Sequence, residues 1–315
     1  MIERIQDLMK YETAGDPISG LRWTRKTTVK IAEELHSLGI DVSPNTVGKL
    51  LKQMDFRLRV NHKKKSSGSR SDRDEQFHYI ARQRQKFEYE GLPILSIDTK
   101  KRELVGNFKN AGSTWRQQAI LVNDHDFRSD ALGIAIPYGL FDEQANRGSV
   151  FVGVSADTSE FAVESLAKWW RYDGRHRYPQ AQHILLLADG GGSNSPHRRA
   201  WKYLLQTRFC DRHGLTVTVC HYPTGASKWN PIEHRLFSEI SKNWAGEPLV
   251  SYETILKFIR TTTTTTGLQV KAYLDPRNYP KKTKISEEQM SQLVLEKHET
   301  QPQRNYTLKP RQKGR

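Results

Sequence analysis

Only two cysteines, Cys210 and Cys220, occur in the 315-residue chain, so a disulfide framework is excluded. Long apolar runs are missing too: no stretch approaches the roughly 20 residues that a membrane-spanning helix requires. The N-terminal MIERIQDLMKYE is too charged for a secretory leader. No basic amphipathic helix with a strong apolar face stands out, which argues against a membrane surface as partner. Acid is in deficit, with 35 Asp and Glu against 50 Lys and Arg, a net charge of +15 and a pI near 9.7. Such an excess of base favours a polyanion, most simply nucleic acid. A reducing, cytoplasmic setting is expected, in association with the nucleoid.

The length predicts roughly two domains. Met1 to about Trp23 reads as a short helix followed by a loop, marked by Asp16-Pro17 and Ser19-Gly20. Thr28 to Leu38 carries Val29, Ile31, Ala32, Leu35 and Leu38 at helical spacing, and Gly39 ends it. Ser43 then serves as N-cap and Pro44 as first residue of a second helix, with Val47, Leu50 and Leu51 inward. Two short helices across a tight turn in a basic chain read as a helix-turn-helix, which places Asn45, Thr46, Lys49 and Lys52 toward DNA. A helical hairpin without a DNA role satisfies the same spacing. Arg57 to Arg73 is a basic Ser/Gly linker. Its Lys63, Lys64 and Lys65 need only charge to track phosphates, and a solvated tether has the same composition. Arg73 to Glu90 reads as a helix with Phe77, Ile80, Ala81 and Phe87 inward.

From Leu92 the pattern changes to strands. They are predicted over 92–101, 103–109, 149–156, 183–189 and 215–221, with helices at 159–172, 196–212 and 230–244. That order describes a mixed α/β sheet whose early strands are antiparallel. The six threonines from Thr261 to Thr266 suit a strand or a loop, and the basic end from Arg304 to Arg315 reads as poorly ordered.

Three acids stand out within this pattern. Asp98 ends the apolar run LPILSID, Asp189 ends HILLLAD, and Glu233 opens the helix in NPIEH. A carboxylate at the end of a buried strand is costly unless something positive lies beside it. Mg²⁺ is held by one or two carboxylates plus substrate phosphate, and two such ions can serve the attacking and the leaving oxygen of a phosphoryl transfer. Lys100, Lys101 and Lys228 flank the acids and are expected to meet phosphates. Structural duties compete with this reading. Asn230, Pro231 and Glu233 have capping-box spacing, and Gly190 to Gly192 suit a plain strand-to-helix turn. Cys210, His213, Cys220 and His221 make a weak zinc set, because adjacent strand residues face opposite ways. Asp124-His125-Asp126 reads as a solvated turn.

The segments SIDTKKRELVGNFKNAG, IPYGLFD, EFAVESLAKWW, LLLADGGGSNS, VCHYPTGASKWNPIEHRLFSEISKNWAG and TGLQVKAYLD resemble the DDE transposases of the Rhodopirellula type, an insertion-sequence family. The resemblance runs from about Asp16 to about Pro280. It implies an RNase H-like α/β fold, a mixed five-stranded sheet flanked by helices and preceded by a small helix-turn-helix region. The implied division is 1–60 helix-turn-helix, 61–90 basic linker and helix, 91–280 catalytic domain and 281–315 flexible basic tail. It implies Asp98, Asp189 and Glu233 as catalytic, metal-binding acids with Mg²⁺ or Mn²⁺ in two sites. Element-end repeats and target DNA would be the partners, bound by a homo-oligomer, and cleavage followed by strand transfer the reaction. The family pattern also implies residues ahead of those matching Met1 to Tyr11. A non-catalytic helix-turn-helix protein and an RNase H-like nuclease that cuts without joining are the alternatives.

Overall fold

Short-range chemistry sets the helix starts near the N-terminus. The computed structural model describes residues 1–9, 13–15, 22–24, 26–58 and 70–311, in two units, Met1–Lys65 and Ser66–Arg315. The first unit holds α1 (Ile2–Met9) and an antiparallel ribbon of β1 (Thr13–Gly15) and β2 (Arg22–Thr24). The Thr27 hydroxyl accepts from Lys30 N to cap α2 (Thr28–Ser37), and the Ser43 hydroxyl accepts from Thr46 N to cap α3 (Pro44–Gln53). Pro44 sits at the start of α3, where its missing N–H is no loss. Ile5, Ile31, Ala32, Leu35 and Val47 make a small core. Val29 and Leu38, expected in that stripe, are 51% and 56% exposed. Asn45, Thr46, Lys49 and Lys52 are exposed. Lys63, Lys64 and Lys65 lie outside the described residues.

The second unit opens with α4 (Arg70–Tyr89), whose Ile80 and Phe87 pack on sheet residues Leu185 and Leu187. Ala81, expected inward, is exposed. The elements that follow are β3 (Ile94–Thr99), β4 (Glu103–Val105), β5 (Gly133–Asp142), β6 (Arg147–Gly153), α5 (Ser159–Trp169), β7 (His183–Ala188), α6 (residues 199–213), β8 (Thr216–His221), α7 (residues 231–243), α8 (Tyr252–Arg260), β9 (Gln269–Asp275), α9 (Glu287–Ser291), β10 (Leu295–Lys297) and β11 (Asn305–Leu308). The central order is β6-β5-β3-β7-β8. β5 runs antiparallel to both of its neighbours, whereas β3, β7 and β8 are parallel. Alternate side chains feed two faces. Leu95, Ile97 and Phe151 join α5 and α6, while Val150 and Val152 join α7 and α8. A mixed sheet with this order, covered by helices on both faces, is the RNase H-like fold. Among the described residues no helix is long and apolar enough to cross a membrane.

The central mixed sheet has the five strands expected, and among the described residues β4, β9, β10 and β11 extend it to a nine-stranded sheet. Two expectations need correction. The long second strand of the core is β5, while the expected strand at 103–109 shrinks to three-residue β4, which pairs with β5. Pro137 and two glycines make β5 look like loop sequence. Pro137 is tolerated because its carbonyl accepts from Lys100 N (2.9 Å), just past the end of β3, so its missing N–H faces no strand residue. The supposed flexible tail supplies β10 and β11, and β11 pairs with β8 through Asn305–Cys220 and Leu308–Val217. All four residues of β11 are buried.

Two glycines seat the helix that carries Glu233. A Cβ on Gly139 would lie 2.6 Å from Phe237 Cε1 and 2.9 Å from Ile232 Cδ1, and one on Gly148 would lie 2.5 Å from Leu236 Cδ1. α7 therefore rests directly on the backbone of β5 and β6. Gly139→Ala should destabilise by about 1–3 kcal/mol through overpacking, seen as a lower melting temperature. An unchanged melt would mean that the helix seats elsewhere.

Candidate active site

β3 and β7 are parallel neighbours, with Ile97 aligned to Ala188. Asp98 and Asp189 each follow those residues by one position, so they leave the sheet side by side, about one strand spacing of ~4.8 Å apart. Glu233 lies in the first turn of α7, at the start of a π-helical stretch from Glu233 to Phe237. Such stretches occur often at functional positions.

The charges report how closely these acids sit. The Asp98 carboxyl is pushed up to about 8, first by burial, then by Asp189, with Glu233 and Asp157 adding to it; a hydrogen bond from Thr99 N (2.7 Å) opposes the rise. Asp189 is also raised, by burial and by Glu233, against a hydrogen bond from Asn230. The three acids that the sequence singled out thus share one electrostatic neighbourhood.

Glu233 is not spent on a capping box. Its N–H bonds to the main-chain oxygen of Asn230 (3.0 Å). The Asn230 side chain turns away, and its Nδ2 donates to Asp189 Oδ1 (3.1 Å) and to Ile97 O (3.5 Å). Asn230 reads in the sequence as a helix cap; in the structure it orients Asp189. Its capping spacing hid that role.

Asp157 was missed entirely. It accepts a hydrogen bond from Thr99 Oγ1 (3.1 Å) and lies across from the glycine turn after Asp189. A lone acid ahead of a helix carries no sequence signal of its own. The glycine turn needs its glycine at Gly192, where φ is 72°. The turn is held on two sides: Ser159 Oγ donates to Ser193 O (2.5 Å), and His221 Nε2 lies 2.8 Å from Asn194 O. His221 Nδ1 lies 2.8 Å from Arg304 O, which ties the turn to β11. Two carbonyls at donor distance favour a charged imidazole; burial opposes it more strongly and holds the ring down at about 4.

The flanking lysines divide. Lys101 and Lys228 are exposed, the latter 5.2 Å above the Trp229 ring. Lys100 turns inward instead, with its Nζ 4.7 Å from the Trp244 ring centroid and 3.5 Å from Glu103. Burial lowers its pKa while Glu103 and Glu233 counter that. It faces the protein rather than an open phosphate track. Cys210 and Cys220 are buried in different apolar clusters, and burial pushes both thiols up. Asp124, His125 and Asp126 are exposed, as a solvated turn requires.

The donor set at this edge is hard: carboxylates, an amide and hydroxyls. Asn230 Oδ1, Asn194 Nδ2 and Tyr138 Oη are buried there without a hydrogen-bond partner, the kind of atoms that bound water or a hydrated ion satisfies. Among the described residues no group of three or more His, Cys, Asp or Glu is arranged to hold a metal ion by itself. Carboxylate and amide oxygens are the kind of donor that Mg²⁺ or Mn²⁺ take.

A family profile described as the Rhodopirellula transposase DDE domain matches residues 4–310. The chain belongs to this transposase family. Comparison with curated proteins finds no match. Among solved structures, the transposase resembles the Mos1 transposase paired-end complex with the left transposon end at 15% identity, covering 82% of this chain and 69% of that one, with a TM-score of 0.43. The Mos1 strand transfer complex gives 16%, 82%, 69% and 0.43, and the Mos1 mariner paired-end complex with Mn gives 15%, 82%, 70% and 0.42.

Proposed function

We propose that this transposase cuts DNA at element ends and joins the freed 3′-hydroxyl to target DNA, with Asp98, Asp189 and Glu233 as its catalytic, metal-binding acids. The observation that carries this is the Asp98 carboxyl, held up at about 8 by burial and by three neighbouring acids at the edge of two parallel strands. Family membership supplies the reaction class. Mg²⁺ or Mn²⁺, when bound in two sites, activates the attacking oxygen and stabilises the leaving one. The chain's own groups bind and orient. Asp98, Asp189 and Glu233 would be the residues that hold the ions. Asn230 fixes the rotamer of Asp189 through its amide. Lys101 and Lys228 meet phosphates as exposed point charges, whereas Lys100 offsets the acids from within. No side chain is needed as a covalent nucleophile; positioning and charge neutralisation do the work.

The α2–α3 pair reads element ends through Asn45, Thr46, Lys49 and Lys52, with Lys63, Lys64 and Lys65 adding charge. A homo-oligomer brings two ends together. The test offers the full chain pre-cut duplex ends drawn from the DNA flanking its reading frame, plus a target plasmid, with and without Mn²⁺. Joined products that depend on Mn²⁺ are expected. Nicking without joining would mark a nuclease, and binding without any breakage would mark a DNA-binding protein.

A further inference from the structure

The edge that carries Asp98 has a second side. Thr99 points to the face opposite Asp98, toward α5, and its cross-strand partner is Tyr138. Asp157, two residues ahead of α5, reaches that point: its Oδ1 accepts from Thr99 Oγ1 at 3.1 Å. Its other oxygen faces the glycine turn after Asp189, 3.9 Å from where a Cβ on Gly192 would stand; Asn194 Oδ1 is equally close to that point. The Asp157 side chain is half-buried.

A group of acids alone says little, but buried polar atoms open onto this one. Tyr138 is fully buried, and its hydroxyl has no partner. That hydroxyl feels the charges of both Asp157 and Asp98. Asn194, 1% exposed, leaves its Nδ2 unpaired on the glycine-turn side. A phenol and an amide buried without partners beside two carboxylates need polar company from a ligand shell.

We propose that Asp157 is a fourth acid of the ion site, acting through the retained water shell of the ion nearest Asp98 and held in place by the Thr99 hydroxyl. This rests on the reading of Asp98 and Asp189 as ion ligands. An outer role fits the chemistry of such an ion, since a hydrated divalent ion is gripped as much through its waters as directly. The competing role is structural. Asp157 precedes Thr158, whose hydroxyl caps α5, and an acid there favours the positive end of the helix.

Binding of Mn²⁺ to the full chain, measured by calorimetry without DNA, separates the two roles. Asp157→Asn should weaken Mn²⁺ by about 10–100-fold, the range for outer-shell partners. Asp157→Glu should recover part of that loss. Thr99→Val, which keeps the shape and removes the donor, should weaken it in the same direction by less, and serves if Asp157→Asn fails to fold. Asp98→Asn is the control and should remove the tightest site. If Asp157→Asn and Thr99→Val both bind Mn²⁺ within about twofold of the parent while Asp98→Asn does not, Asp157 is only a helix-end residue and the proposal falls. If Asp98→Asn also binds Mn²⁺ normally, the underlying reading of the site is wrong.

Discussion

Asp98→Asn is expected to cut divalent-dependent DNA breakage by at least about 10²–10³-fold, the scale of losing a preorganised electrostatic group, while leaving DNA binding intact. The same change should stabilise the metal-free protein. The folded carboxyl titrates near 8, far above its ordinary value of 3.8. Between those values the folded state holds a proton that the unfolded state has released, so stability falls as pH rises through the window. Below about 4 both states are protonated and the penalty vanishes; above about 8 it is complete. Asn carries no charge at any pH. Its gain in melting temperature should be near zero at pH 4 and grow to about 4 °C or more at pH 8. Adding Mg²⁺ or Mn²⁺ should give the parent a similar gain at pH 8 and little at pH 5, because the ion competes with the proton. A variant that loses activity without this pH-dependent gain would show that Asp98 is not a crowded, buried acid.

Tyr306→Ala is expected to give the largest loss of stability. Tyr306 is fully buried in β11, and its hydroxyl accepts from Trp201 Nε1 at 2.9 Å. Removing the ring should cost about 3–5 kcal/mol, and leaving the Trp201 N–H buried and unpaired should add about 1–3 kcal/mol. At roughly 2–4 °C per kcal/mol, the melting temperature should fall by about 10 °C or more. Tyr306→Phe isolates the hydrogen bond and should show only the smaller part. A melt unmoved by Tyr306→Ala would return these residues to the status of a loose tail.

Much of the candidate site's placement could be read before the fold was known. An apolar run that stops at an acid is a strand-end carboxylate, and two such runs in an α/β pattern place Asp98 and Asp189 together if their strands are neighbours. The register Ile97–Ala188 brings that about. Ser43 and Pro44 announced α3 because capping is a matter of a few adjacent residues. What stayed hidden depends on partners distant in sequence. β5 is buried over nearly its whole length, so no alternation marks it, and Pro137 argues against a strand until the end of β3 is known. β11 is four residues of mixed chemistry that become a strand only by pairing with β8, over 80 residues earlier. Gln76 and Asn305 exchange reciprocal amide hydrogen bonds of 2.8 and 2.7 Å that lock α4 to the same strand, and neither residue is notable in sequence. Asn230 and Asp157 make their contacts with Asp189 and Thr99, neighbours that only the folded sheet supplies.

The direct test of the central claim is where a divalent ion binds. In crystals of the full chain soaked in Mn²⁺, anomalous scattering should place an ion in bonding contact with carboxylate oxygens of Asp98 and Asp189, with Glu233 facing the same edge. Mn²⁺ bound elsewhere, with nothing at the ends of β3 and β7, would contradict the account.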